Sequence, residues 1–200
     1  LEREGVLARE HPWMENCLLL EGTGNLEELP AFQKGFFYIQ DPAAKTAVLA
    51  AAPKAGERGR DLCAAPGGKS FAAAVAMGDR GEIVSRDVYP WKVQELEKSA
   101  QRLGLSCVKA MVGDATKPVE GSFDLVIADV PCSGLGIIGK KPDIRYKDPA
   151  DFAALTPLQT AILENAGGVV KPGGRLIYAT CTLRREENEG RLMAFLANRR

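Results

Sequence analysis

Histidine is nearly missing: His11 is the sole one in 200 residues, which leaves too few ligands for an ordinary zinc site. Cysteine is sparse and uneven. Cys17, Cys63, Cys107, Cys132 and Cys181 are odd in number and widely spaced, with no Cys-x-x-Cys pair, so a disulfide framework and a thiol redox centre are both disfavoured and reduced thiols are expected. Neither sign of charge is in excess. With 26 Lys and Arg against 26 Asp and Glu there is no polybasic arm, and any contact with a polyanion has to be local. No apolar run approaches bilayer-spanning length, no basic-then-apolar leader opens the chain, and no repeat or low-complexity tract occurs. Two nucleotide motifs are lacking too: Cys63 stands where a P-loop ending at Gly68 needs glycine, and no G-x-G-x-x-G follows any strand-like run. What remains, 46% hydrophobic and 26% charged, suits a single domain with a sizeable core. The chain is expected to be a cytoplasmic, monomeric fragment that engages neither membrane nor metal.

From Gly59 onward, apolar runs alternate with segments of helical character, the pattern of a mostly parallel, doubly wound α/β sheet. The runs predict strands near 60–64, 82–87, 107–113, 123–130 and 174–181. Helices are predicted near 69–77, 90–103, 150–170 and 185–197, punctuated by Gly and Pro as at Gly104 and Lys171-Pro172-Gly173-Gly174. Residues 1–40 read as a small extension packing on a core of 41–200. In that first part 17–20 and 36–39 look like short strands, and Asp41-Pro42 looks like the cap of a helix running to Ala52.

The segment Asp61-Leu62-Cys63-Ala64-Ala65-Pro66-Gly67-Gly68-Lys69 reads as a strand turning through glycines into a helix, a place to hold a nucleotide-like cofactor. Alone, a Gly-Gly pair is only a turn. Acidic residues then recur at strand ends, Asp87, Asp114 and Asp129, and in an open parallel sheet such ends line one pocket. Cys17, Cys63 and Cys107 read as small hydrophobes. Cys132 and Cys181 differ, because each follows a strand, and neighbouring strands lie only about 4.8 Å apart. Two thiols in one crevice fit a pyrimidine whose carbon 5 is too electron-poor to be alkylated until a thiolate adds at carbon 6. Asp129 would then engage the exocyclic amine or ring nitrogen 3 of a cytosine. Lys69 would favour a thiolate, anchor an acidic partner, or simply be solvated. The cluster Lys140, Lys141, Arg145 and Lys147, with Tyr146 among it, offers phosphate and base-stacking contacts beside the crevice, and Arg184 and Arg185 could add to the same surface. Glu186, Glu187 and Asn188 read as the first turn of a helix.

Four stretches, Asp61–Ser70 (DLCAAPGGKS), Asp129–Gly134 (DVPCSG), Gly136-Ile137-Ile138 with Lys141-Pro142-Asp143-Ile144, and Tyr178–Asn188 (YATCTLRREEN), together resemble the S-adenosylmethionine-dependent RNA cytosine-5 methyltransferases of the RsmB/Sun type. The resemblance implies a Rossmann-like class I methyltransferase fold of seven strands, here ending after the fifth. It implies S-adenosylmethionine contacts from Cys63, Ala64, Ala65, Pro66, Gly67, Gly68 and Lys69 and from Asp87, Asp114 and Asp129. It makes Cys181 the nucleophile and Cys132 the group that assists release, the reverse of DNA cytosine methyltransferases, so the expected partner is RNA, and within the family 16S ribosomal RNA. The other reading kept open is a non-catalytic cofactor- or RNA-binding module with inert thiols. Val130 stands where the family most often has alanine, and Lys92 where arginine is commoner.

Overall fold

Five parallel strands organise the chain, seen here in a computed structural model that describes residues 1–118 and 120–199 and so leaves Val119 and Arg200 of the expected core outside the described residues. An antiparallel hairpin, β1 (Leu7–Glu10) and β2 (Leu18–Glu21), comes first, followed by a single turn α1 (Pro30–Gln33) and helix α2 (Pro42–Ala50). The alternation then runs β3 (Arg58–Asp61), α3 (Gly68–Ala76), β4 (Glu82–Asp87), α4 (Pro90–Arg102), β5 (Val108–Val112), β6 (Phe123–Asp129), α5 (Leu155–Gly168), β7 (Val170–Ala179) and α6 (Glu189–Ala197).

The sheet order is β5-β4-β3-β6-β7, so the chain builds outward from β3 in one direction and then returns to lay β6 on its other side. Between β3 and β6 lies the reversal of strand order, whose carboxyl ends open a ligand crevice in sheets of this kind. Central strand β6 shows why: Leu125 and Ile127 belong to one core cluster with Phe71, Met77 and Leu96, while Val126 and Ala128 belong to the other with Ile162 and Ala166. Buried on both faces, it reads as an unbroken apolar run rather than an alternating one. The two acids that bracket this run, Asp124 and Asp129, are only partly buried.

The five expected core strands and the parallel doubly wound architecture are present. Several local expectations need correction. Residues 36–39 form no strand, and the carbonyl of Phe37 is instead taken at 3.0 Å by Nη1 of Arg102, whose guanidinium also lies 3.8 Å from the Phe32 ring centre. The helix expected over 150–170 begins as a tighter 3-10 segment, Pro149–Ala154, before α5. The helix expected over 185–197 breaks at Asn188, which leaves the helical region at φ −113°, ψ −115° and separates a 3-10 turn, Arg185–Glu187, from α6. Among the described residues no helix is long and apolar enough to cross a membrane, and no group of three or more His, Cys, Asp or Glu is placed to hold a metal ion.

Candidate functional site

At the carboxyl end of β3 the chain turns sharply into α3. The amide of Gly67 donates to the carbonyl of Ala64 at 2.7 Å, and the amide of Ala64 to the carbonyl of Arg86 at 2.7 Å, which ties the turn to β4. Gly67 has φ +111°, and a β-carbon there would run into the Phe71 ring; only glycine lets the turn close over that side chain. No side chain caps the first turn of α3, so its amides face the crevice unspent.

Four carboxylates surround this turn: Asp87, Asp114 and Asp129 at the ends of β4, β5 and β6, and Asp61 at the end of β3. Their convergence shows at Cys63, whose thiol is pushed up first by burial and then by the charges of Asp61, Asp87, Asp129 and Asp114. Asp61 was not singled out in the sequence, although it follows the same strand-end rule. It is fully buried, accepting from Ser70 Oγ at 2.8 Å, while Ser85 Oγ donates to Ser70 Oγ at 2.8 Å. Burial pushes its carboxyl up to about 7 against the opposing pull of Ser70. A folded-state value above the unfolded one, near 3.9, means the folded chain binds the extra proton. Stability from this group is therefore full at low pH and lost as pH rises through about 7. The melting temperature is expected to fall between about pH 5 and about pH 8, and Asp61→Asn, which keeps the carbonyl acceptor for Ser70, should flatten that fall; calorimetry at the two pH values checks it.

Lys69, one residue into α3 and nearly buried, reaches Asp129 Oδ2 at 2.5 Å. Of its three readings, the anchoring of an acidic partner is the arrangement found.

β6 and β7 pair in parallel, with Asp129 opposite Ala179, so the chains leaving them run side by side. Cys132 Sγ and Cys181 Sγ lie 3.2 Å apart, and the Cys181 amide lies 3.2 Å from Cys132 Sγ. The Cys181 thiol and the amides of Cys181 and Gly134 together hold Cys132 down at about 6, although burial and the carboxylate of Glu187 oppose it. The Cys181 thiol is pushed up by the same contact and by burial. The two thiols titrate as a pair that holds one proton between the separate steps, and either sulfur can be its donor. Cys181 is exposed and Cys132 half-buried.

Beneath the sulfurs lies a polar network that sequence reasoning missed. Glu187 is completely buried; its Oε2 accepts from the Ser133 amide and from Gln159 Nε2, both at 2.9 Å. Gln159 Nε2 also reaches the Pro131 carbonyl at 2.9 Å. Asn188 donates to the carbonyls of Thr182 and Arg184 at 2.8 and 3.1 Å and pairs with the Thr180 hydroxyl. Gln159 carried one signal: it falls on the buried face of α5 with Ile162, Leu163 and Ala166, where an unexplained polar side chain asks for a partner. Glu187, within an exposed-looking run of charges, carried none.

The basic stretch follows the Cys132 turn as a 3-10 segment, Pro142–Tyr146, pinned by buried Ile144. Lys141, Arg145 and Lys147 point outward and Tyr146 is 89% exposed. Lys140 is exposed and pairs with Asp41, the N-cap of α2. Arg184 sits over the Phe152 ring beside Glu186 and Glu187, and Arg185, exposed, pairs with Glu189. A cleft of about 1270 Å³ is lined by Trp13, Phe36, Tyr38 and Leu103 among others, and neither Cys132 nor Cys181 nor any of the strand-end acids is part of its lining.

A family model described as 16S rRNA methyltransferase RsmB/F matches residues 48–200. Among curated proteins, the chain is 43% identical over 179 residues to the probable ribosomal RNA small subunit methyltransferase B of Synechocystis sp., covering 87% of this chain and 40% of that protein. It is 39% identical over 199 residues to the protein of the same description in Bacillus subtilis, covering 96% and 44%. The chain therefore spans less than half the length of these relatives. Among solved structures, a methyltransferase homologue from Pyrococcus horikoshii superposes with a TM-score of 0.83 at 32% identity, covering 98% of this chain and 63% of that one. NSun6 from the same organism, solved with SFG, an S-adenosylmethionine analogue, gives 0.80 at 32% identity, covering 86% and 45%.

Proposed function

Because the chain belongs to the RsmB/F family of S-adenosylmethionine-dependent 16S rRNA methyltransferases, we propose that it carries the part of such an enzyme that methylates carbon 5 of a cytosine in small-subunit ribosomal RNA. The observation that carries the cytosine-5 reading is the 3.2 Å approach of Cys132 and Cys181 beside the Lys69–Asp129 pair.

The residues present fit the methyl donor. The turn from Cys63 to Lys69 presents backbone with no side chain at Gly67, and Asp87, Asp114 and Asp129 offer carboxylates to ribose hydroxyls and to a molecule that bears positive charge. When bound, that molecule supplies an electrophilic methyl group on a sulfonium.

The chain's own residues account for the remaining steps. Cys181 adds through its sulfur to carbon 6, and its proton passes across to Cys132 and on to water. Addition makes carbon 5 electron-rich enough to be alkylated. Asp129, held by Lys69, accepts from the exocyclic amine, a donor that uracil lacks. Once the methyl is in place, Cys132, again unprotonated, takes the proton from carbon 5 as the bond between Cys181 and carbon 6 breaks. The pair ends with one proton, as it began. Carbon 6 meets a sulfur at the crevice only if the base is unpaired or extruded from its helix. Lys141, Arg145 and Lys147 lie beside the Cys132 turn, where the flanking phosphates would pass, with the Tyr146 ring free to stack.

The test uses RNA containing 5-fluorocytosine, in which fluorine replaces the proton that must leave. With donor and this RNA the protein is expected to form a complex that survives denaturation. Absence of the complex at saturating donor and RNA would favour the non-catalytic module with inert thiols.

A further inference from the structure

Glu187 is a complete side chain of an acidic residue with no exposed surface, and it lies six residues after one cysteine while bonding the amide next to the other. A buried carboxylate is costly unless its oxygens are satisfied. Here Oε2 accepts two hydrogen bonds, but Oε1 has only Arg184 Nε, at 3.7 Å. An apolar side chain of similar volume would fill the same space more cheaply, so packing does not explain the residue. What an apolar side chain cannot do is accept the Ser133 amide.

We propose that Glu187 is a positioning residue: by holding the Ser133 amide, and Pro131 through Gln159, it fixes the Cys132 turn against the Cys181 turn and sets the separation of the two sulfurs. The wiring supports this from both sides. Glu187 is anchored to β7 by its own carbonyl, which accepts from the Tyr178 hydroxyl at 2.8 Å. Ser133 Oγ and Thr182 Oγ1, the residues immediately after the two cysteines, meet at 2.6 Å. The Gly136 amide donates to the Cys181 carbonyl at 3.0 Å, and a β-carbon on Gly136 would stand 2.9 Å from that oxygen, so the turns touch backbone to backbone. With the carboxylate removed, the Ser133 amide loses its acceptor and Gln159 loses one of its two, leaving the Cys132 turn held by the Ser133–Thr182 hydroxyl contact, the Gly136 amide, the Gln159–Pro131 bond and the Cys181 amide. The inference rests on the proposed two-thiol chemistry for its catalytic meaning, but the geometry is testable without it.

Dibromobimane, which fluoresces once both arms have alkylated thiols, reads sulfur separation directly, and peptide mapping assigns the bridge to Cys132 and Cys181. Glu187→Gln keeps an acceptor of the same reach and is expected to bridge at a rate close to wild type. Glu187→Ala, and Glu187→Asp, which keeps the charge but falls one methylene short, are expected to bridge at least about tenfold more slowly, since displacements of this size are costly to reactions between positioned groups. Alkylation by a single-armed bimane gives the reactivity of the separate thiols in each variant, and the bridging rate is compared after division by it. In methylation assays kcat should fall in the same order while KM for the donor stays put, because the 63–69 turn has no bond to this network. Wild-type bridging by Glu187→Asp, or by a folded Glu187→Ala, would overturn the proposal; should alanine fail to fold, aspartate decides. If bridging follows the expected order but wild type traps no 5-fluorocytosine RNA, the positioning role stands and the proposed function fails.

Discussion

Cys181→Ala is expected to abolish methyl transfer, by roughly 10⁴-fold or more, because no other group near carbon 6 can form the bond that activates carbon 5. Cys132, 3.2 Å away, does not substitute: its sulfur is held by the amides of Cys181 and Gly134 on the deeper side of the pair. Donor binding should survive, since the 63–69 turn and the acids at 87 and 114 are untouched. The measurement is the 5-fluorocytosine complex on a denaturing gel, beside donor affinity by calorimetry. A variant that still forms the complex would move the nucleophile to Cys132 and place the chemistry with the DNA-type enzymes.

Cys132→Ala is expected to do the opposite to the complex. With ordinary RNA the wild type releases its product, whereas the variant loses the acceptor for the carbon 5 proton and stalls with RNA bound through Cys181. Release should slow by about 10²- to 10⁴-fold, the usual worth of general acid–base catalysis. Addition itself should slow less, since water can accept the proton of Cys181. A denaturation-resistant band on unmodified RNA, seen with Cys132→Ala and absent from wild type, is the expected result. No accumulation would remove Cys132 from the release step.

Much of this site could be read in advance because it is built from strand ends. The apolar run of β6 between Asp124 and Asp129 announces a central strand, and the residues after it inherit a known place in any parallel sheet. The same holds for Asp87, Asp114 and the glycine turn. Asp61 obeys the same rule, as the last residue of β3. Contacts between segments far apart were not readable. Lys140 meets Asp41 from 99 residues away, and Gln159 meets Glu187 across 28. Periodicity records which face of an element is buried but not which polar side chain from another element meets it there. The segment 36–39 departs from its expected strand for a different reason: its apolar residues pack, with Tyr38 edge-on to Phe71 at 5.7 Å, but the Phe37 carbonyl goes to the Arg102 side chain rather than to a neighbouring strand.

The Cys132–Cys181 contact spans 49 residues and the Lys69–Asp129 pair spans 60. Neither can assemble locally, and each waits on loop closures whose entropy is paid before any contact rewards them. The crevice therefore comes together only once β6 has β3 on one side and β7 on the other. Bridging of those two sulfurs by a short reagent would then serve as a clock for the completed sheet, silent in any partly folded chain in which β6 and β7 had not yet found their register.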